Sequence, residues 1–140
     1  MNEKLVKPRL IVFGYLLIAA VVSVGGHPTL HVQPAPSQFE TRCGWFSNPT
    51  PANIWLYDRD GEWTVGVQGG HQAEGDWDWP SFKSRQWVRT NVNYGYGCAC
   101  LQLRVNKEAH EVLEIKRARA RPLAACRQDR SLKKWKHMFE

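Results

Sequence analysis

Several signatures of enzymes and cofactor sites are missing from this sequence. It has no Gly-x-Ser-x-Gly nucleophile elbow and no glycine-rich phosphate-binding motif. Its Cys98-x-Cys100 pair lacks the Cys-x-x-Cys spacing and the nearby histidines of a zinc site. It also has no internal repeat of the solenoid or propeller kind. These absences weigh against an elbow-type serine hydrolase, a nucleotide-binding protein and a zinc protein, so we predict no metal and no cofactor.

The chain also lacks an apolar run of the roughly 20 residues that a transmembrane helix needs. Its longest run, residues 10–24, has 15 residues. Three basic residues precede it: Lys4, Lys7 and Arg9. This pattern is typical of a secretory signal peptide, which we place at 1–26. The alternative is an uncleaved inner-membrane anchor. In both cases we predict a periplasmic or secreted domain whose only membrane contact is this segment.

Cysteine is scarce, and all four residues follow the apolar run: Cys43, Cys98, Cys100 and Cys126. An even number in an exported chain predicts two disulfides. A Cys98–Cys100 bond is the least compatible with disulfide geometry, because residues two apart on a strand cannot easily reach it. Two pairings remain open. Cys98–Cys126 with Cys43–Cys100 is slightly favoured over Cys43–Cys98 with Cys100–Cys126.

Positive charge is concentrated in the C-terminal third of the chain. Residues 104–140 contain eleven basic and five acidic side chains, whereas residues 27–103 contain five basic and seven acidic ones. Outside the cytoplasm, such a segment would meet phospholipid head groups, cell-wall polymers or an acidic partner protein. Nucleic acid is not an expected partner there. A solvated surface is the simpler alternative.

Two hairpins are predicted from apolar alternation. Asp60-Gly61, a preferred type I′ turn pair, separates stretches 53–59 and 62–68. This turn would set three cross-strand pairs: Arg59 with Glu62, Leu56 with Val65, and Ile54 with Val67. Residues 98–105 would pair with 111–118 in the second hairpin. Its inward side chains are expected to be Ala99, Leu101, Leu103, Val105, Leu113 and Ile115.

Together these patterns predict a mainly β fold: a small antiparallel sheet built from hairpins, with two disulfides and a short C-terminal helix. The length of 140 residues suits one domain. We place a Pro-rich linker at 27–41, the disulfide-linked domain at 42–130, and a basic tail or short helix at 131–140. Residues 85–91 are a candidate further strand. The oligomeric state does not follow from the sequence.

The loop at 68–82 is the most unusual part of the chain, because it combines polar donor groups with two tryptophans. Three residues carry atoms suited to metal binding or acid–base chemistry: His71, Glu74 and Asp76. Loop spacing does not force these side chains to converge. Trp77 and Trp79 could form a recognition surface for a protein or a sugar ring. Alternatively, both tryptophans cap the core. We take all five residues as candidate binding residues and none as catalytic.

Five short motifs together resemble the bacterial family called domain of unknown function 4087. They are Arg42-Cys-Gly-Trp-Phe-x-Asn-Pro-Thr-Pro51, Asp58-Arg-Asp-Gly-Glu-Trp63, Val67-Gln-Gly-Gly-His-Gln-Ala73, Gln86-Trp-Val-x-Thr-Asn91 and Asn93-Tyr-Gly-Tyr-Gly-Cys-Ala-Cys100. The resemblance covers about residues 42–130. It implies a small exported protein of Gram-negative bacteria, and it carries no catalytic residue over to this chain.

The sequence therefore predicts a non-enzymatic binding module in the periplasm, directed at another envelope or secreted protein in the manner of an inhibitor or immunity protein. Fold and size alone do not assign this function. A second hypothesis is a small cell-wall hydrolase that uses His71 and a loop carboxylate. A third is a structural envelope protein whose basic tail meets an anionic lipid or polymer.

Overall fold

In a computed structural model of the protein, residues 38–140 are described, and the predicted signal segment at 1–26 lies outside them, as does most of the predicted linker. The described part contains six strands and three short helical segments. They are β1 (Glu40–Thr50), β2 (Asn53–Tyr57), β3 (Glu62–Gly66), β4 (Trp87–Asn91), β5 (Tyr94–Asn106), β6 (Glu111–Arg121), α1 (Leu123–Gln128), a 3₁₀ helix (Arg130–Trp135) and α2 (Lys136–Phe139). The predicted fold class, with two disulfides and a short C-terminal helix, is confirmed.

Five of the strands close into a ring in the order β1–β2–β3–β6–β5–β1. Neighbouring strands are antiparallel except β3 and β6, which are parallel and share one paired position, Thr64 with Glu111. β4 pairs with the first residues of β5, next to the end of β6. Strands β1, β2 and β3 form a meander, and the hairpin of β5 and β6 closes the ring. This is the strand order of an OB-type Greek-key barrel. The predicted hairpins are therefore wrapped into a small barrel.

The seam between β3 and β6 is completed by the loop that follows β3. On the β3 side, the Ala73 amide donates to the Val65 carbonyl at 2.8 Å. On the β6 side, the Ile115 amide donates to the Glu74 carbonyl at 2.9 Å. Gly75 then leaves the seam with a φ of 110°, and a Cβ there would clash with the Ile115 carbonyl oxygen. Glycine is required at this position, because the positive φ and the close approach to β6 leave no room for a side chain.

Eleven buried residues form the core cluster inside the barrel: Phe46, Ile54, Leu56, Trp63, Val65, Ala99, Leu101, Leu103, Val105, Val112 and Ile115. The predicted inward face of β5 is confirmed, because all four of its members are in this cluster. On β6, Val112 is buried and Leu113 only half-buried, since the register shifts there. Val67, predicted to face the core, is 37 % exposed because β3 ends at Gly66.

The turn between β2 and β3 is longer than predicted. Tyr57 pairs with Glu62, so residues 58–61 form a four-residue loop. The predicted register was therefore wrong by two positions. As a result, Arg59 is not opposite Glu62, and its Nε lies 3.7 Å from the Asp60 Oδ1 instead. A bulge between Ile54 and Trp55 reduces the shift to one position there, so Leu56 and Val65 keep their predicted inward face and Val67 does not.

The carboxylate of Asp58 explains the longer turn. Its Oδ1 accepts the backbone amides of Asp60 and Gly61 at 2.8 and 2.9 Å, and the Trp63 indole N–H at 3.0 Å. Its Oδ2 accepts from Arg42 at 2.6 Å. Neither Asp60 nor Gly61 has the positive φ that a type I′ turn needs. The loop is fixed by these side-chain hydrogen bonds together with one backbone bond, from the Asp58 amide to the Gly61 carbonyl at 2.9 Å.

Arg42 places a positive charge at the same end of the barrel. Its guanidinium carbon lies 4.2 Å from the Trp63 ring centroid, and its side chain is 8 % exposed. Burial lowers the pKa of Arg42, but hydrogen bonds to Asp58 and Glu40 outweigh this effect, so the pKa is raised. The guanidinium therefore stays charged and depends on its carboxylate partners.

A second core lies on the outer surface of the barrel, under the C-terminal helices. Its buried members are Trp45, Tyr57, Cys98, Cys126, Leu132 and Phe139. The Phe139 ring stacks on Trp45 at a centroid distance of 5.2 Å, and its carbonyl accepts from the Tyr96 hydroxyl at 2.8 Å. The Trp135 indole donates to the Asp58 carbonyl at 2.8 Å. Residues 131–140 are therefore packed against the barrel.

The disulfides follow the pairing that the sequence slightly favoured. Cys43–Cys100 joins residues directly opposite each other on β1 and β5, with Cα atoms 4.0 Å apart. Cys98–Cys126 joins β5 to α1, with Cα atoms 5.7 Å apart. The first bond supports a strand pair, and the second holds the helical segment on the barrel.

Asp58→Asn should destabilise the barrel strongly. The substitution removes the one buried carboxylate of Arg42 and leaves only its more exposed partners Glu40 and Asp60, so we expect the free energy of unfolding to fall by about 2–3 kcal/mol, the upper range for a hydrogen bond to a charged group. Asp60→Asn is the control, because Asp60 also bonds to Arg42 but is 50 % exposed. Its loss should stay below about 1 kcal/mol. Urea unfolding followed by tryptophan fluorescence measures both, and equal losses would contradict this role of Asp58.

Replacing Cys98 and Cys126 with alanine should release the C-terminal helices while the barrel stays folded. Limited trypsin digestion should then cut after Arg127 faster than in the wild type, because a tethered segment is cleaved less readily than a detached one. The control removes Cys43 and Cys100, which link strands already paired at nine positions. Equal acceleration in both variants would show that the Cys98–Cys126 bond does not hold the helices.

Candidate functional site

The three predicted donor residues of the 68–82 loop do not share a centre. The His71 Nε2 lies 2.8 Å from the Val112 carbonyl oxygen, which attaches the loop to β6. Glu74 takes part in the barrel seam through its backbone, and the side chains of Glu74 and Asp76 are exposed. Within residues 38–140, no group of three or more His, Cys, Asp or Glu side chains is placed to hold a metal ion. His71 and the Glu74 backbone therefore have structural roles, whereas the Glu74 and Asp76 side chains lie on the surface.

The two tryptophans of the loop lie side by side in different environments. Trp77 is half-buried and packs against the barrel core. Trp79 stacks beside it at a centroid distance of 6.3 Å and is 41 % exposed. The Trp79 ring also meets the fully buried Phe46 ring nearly at a right angle, 4.8 Å between centroids. Trp79 is therefore fixed by the core and still presents part of its ring to solvent.

Trp79 forms part of a concave surface of about 760 Å³, which we call the aromatic cleft. Its aromatic side chains are Trp79, Phe82 and Trp87. Polar groups surround them, among them Asn48, Arg89 and Asn93. Binding sites commonly combine an apolar lining with a few polar groups that fix the orientation of a ligand.

Two aromatic residues of the cleft were missed by sequence reasoning. Trp87 belongs to β4, and its indole donates to the Asn93 carbonyl at 3.2 Å. Phe82 packs on Trp87 at a centroid distance of 4.9 Å. A Cβ at Gly97 would lie 2.5 Å from the Phe82 ring, so glycine in β5 makes room for it. The high aromatic content of residues 77–87 was the available signal, but their convergence depends on the β4–β5 pairing.

The hairpin that borders the cleft has an unusual tip. Val92 is 78 % exposed and has a φ of 51°. Positive φ is strained for a β-branched residue. β4 pairs with β5 on one side and has no second strand partner among the described residues. The cleft is therefore flanked by a free strand edge and by an exposed apolar side chain.

Membrane-spanning helices and free thiols are both absent from the described residues. No helix in this part of the chain is long and apolar enough to cross a membrane. All four cysteines of the sequence are bonded, so no free thiol is present. A cysteine nucleophile is therefore excluded while the disulfides are intact.

Comparisons with known proteins agree with the motifs described above. The family described as "Protein of unknown function (DUF4087)" matches residues 37–133. The matched range contains all six strands, both disulfides and the aromatic cleft. No curated protein and no solved structure matches the chain. The resemblance found in the sequence is confirmed, and the chain belongs to the DUF4087 family.

Proposed function

We propose that this protein is an exported, non-enzymatic module that binds another protein in its aromatic cleft. The main support for this proposal is the position of Trp79, which packs its ring on Phe46 and is 41 % exposed. A rigid aromatic ring loses little conformational entropy on binding and provides a large contact area. Tryptophan and arginine are among the residues enriched in the energetic centres of protein interfaces. Trp79, Trp87 and Arg89 give the cleft this composition.

The free edge of β4 favours a protein as the occupant of the cleft. An exposed strand edge can accept an extended segment of a partner through backbone hydrogen bonds, and adjacent pockets then select its side chains. The cleft lies beside this edge and shares Trp87 and Arg89 with it. The exposed Val92 at the hairpin tip adds apolar contact area. A partner strand along β4 would place alternate side chains towards the aromatic rings.

The two disulfides support a location in an oxidising compartment. Together with the predicted signal segment at 1–26, they favour the periplasm or the exterior of the cell as the place of action. The partner would then be an envelope or secreted protein, and the module would act as an inhibitor or immunity protein does, by occupying the partner's surface. The hydrolase hypothesis gains no support from the geometry, because the His71 Nε2 lies 2.8 Å from the Val112 carbonyl oxygen and His71 forms no ion pair with a carboxylate among residues 38–140.

Site-specific photo-cross-linking in the native host tests the proposal. A photoreactive residue at Ser81, which lines the cleft, should give one discrete cross-linked adduct. Mass spectrometry should identify the attached molecule as a protein. A photoreactive residue at Lys107, in the exposed β5–β6 turn, is the positional control. Trp79→Ala should reduce the adduct yield at least tenfold, because a central aromatic residue contributes about 2 kcal/mol or more to binding.

Trp55→Ala controls for the loss of a tryptophan, because Trp55 is half-buried on β2 and does not line the cleft. It should leave the adduct unchanged, and near-ultraviolet circular dichroism should show both variants folded. An identical adduct from Lys107 would mean non-specific capture. An adduct that resists proteases and is removed by glycosidases would show that the bound molecule is a glycan and not a protein. Either result would contradict the proposed function.

A further inference from the structure

A second concave surface lies on the outer face of β1, β5 and β6, and we call it the arginine groove. It has a volume of about 450 Å³. Three arginines of β6 form one wall: Arg117, Arg119 and Arg121. Thr41, Gln102 and the Cys43–Cys100 disulfide form the rest. The strand pairing sets these residues in rows across the barrel: Thr41–Gln102–Arg117, then Cys43–Cys100–Arg119. The disulfide therefore holds the floor of the groove rigid.

A bulge in β6 creates this arrangement. Leu103 pairs with Ile115, whereas Gln102 pairs with Arg117, so Lys116 has no partner position on β5. An extra residue of this kind changes which side chains face outward along a strand. Ile115 is buried before the bulge, and the three arginines that follow at every second position are all exposed. The arginines therefore stand on one face, about 6.6 Å apart along the strand.

The charges of the groove are not neutralised within residues 38–140. Neighbouring cations have partners: Arg104 bonds to Glu114, and Arg42 bonds to Asp58. The three groove arginines form no ion pair among the described residues, and no carboxylate lines the groove. Like charges on one wall repel each other, and a bound anion would relieve that repulsion.

We propose that the arginine groove binds an extended acidic segment of a protein partner, with a carboxylate side chain at every second residue. Alternate side chains of an extended peptide repeat every 6.6 Å or so, the same distance as the arginines of β6. Each planar guanidinium can then take one carboxylate in a two-pronged hydrogen bond. The peptide lies parallel to β6 across the disulfide, and Thr41 and Gln102 bond to its backbone.

The lining of the groove favours a peptide over other anionic macromolecules. Single-stranded nucleic acids are held by aromatic side chains on which the bases stack, and no aromatic residue lines this groove. Stable binding to a lipid surface combines cations with exposed apolar side chains, and the lining contains none of these either. The groove shares no residue with the aromatic cleft, so a failed test of peptide binding in the groove leaves the proposed function of the cleft standing, and the reverse also holds.

Fluorescence anisotropy with two labelled synthetic peptides tests the proposal on the intact, oxidised domain. The first peptide carries four glutamates separated by single threonines, and the second has the same composition with its glutamates in one block. We expect the alternating peptide to bind at least fivefold more tightly, since only its carboxylates match the arginine spacing. Raising the salt from 50 to 200 mM should weaken its binding, because ion pairs at an open groove are screened.

Arg119→Gln should weaken the alternating peptide about tenfold, because one charge-assisted pair is lost. Arg85→Gln is the control, since it removes the same charge from an exposed position outside the groove. It should change binding less than twofold. Equal weakening by both variants would show a net-charge effect and overturn the proposal. Equal binding of the block peptide, or tighter binding of an oligothymidylate or of anionic lipid vesicles, would overturn it as well.

Discussion

The buried carboxylate of Asp58 connects segments that are far apart in the sequence. It fixes the β2–β3 turn, accepts from Trp63 in the barrel core and pairs with Arg42 on β1. Its backbone carbonyl accepts from Trp135, which brings the C-terminal helices to the same end of the barrel. Burial of such a pair contributes little net stability compared with apolar residues, but it specifies one arrangement, because each alternative leaves a buried charge unpaired.

Around this connection, the chain divides its apolar residues between two cores. One fills the barrel, and the other lies between the barrel and the C-terminal helices. A domain of about one hundred described residues has a high ratio of surface to volume, so disulfides supplement its apolar burial. Cys98–Cys126 lies within the second core and ties α1 to β5, and Cys43–Cys100 links β1 to β5 at the floor of the arginine groove. The same scaffold thereby supports both proposed binding surfaces.

Local alternation in the sequence was enough to predict the hairpins and the buried face of β5, because side-chain direction in a strand depends only on parity. The register of the first hairpin was not predictable in this way, since Asp58 replaces the expected turn with side-chain hydrogen bonds. Trp79 was recognised as a candidate, but Trp87 joins it only through the pairing of β4 with β5. The arginine groove also depends on long-range structure, because the bulge at Lys116 sets the outward face of β6.

A rigid barrel with a free β4 edge beside an aromatic cleft is the basis of the proposed protein-binding function. Hydrogen exchange measured by mass spectrometry tests it most directly, on the domain alone and when saturated with the protein captured at Ser81. We expect slower exchange of the amides of β4 and of the hairpin tip at Val92, because a bound strand would occupy the edge. Unchanged exchange across β4, with protection only elsewhere on the barrel, would contradict it.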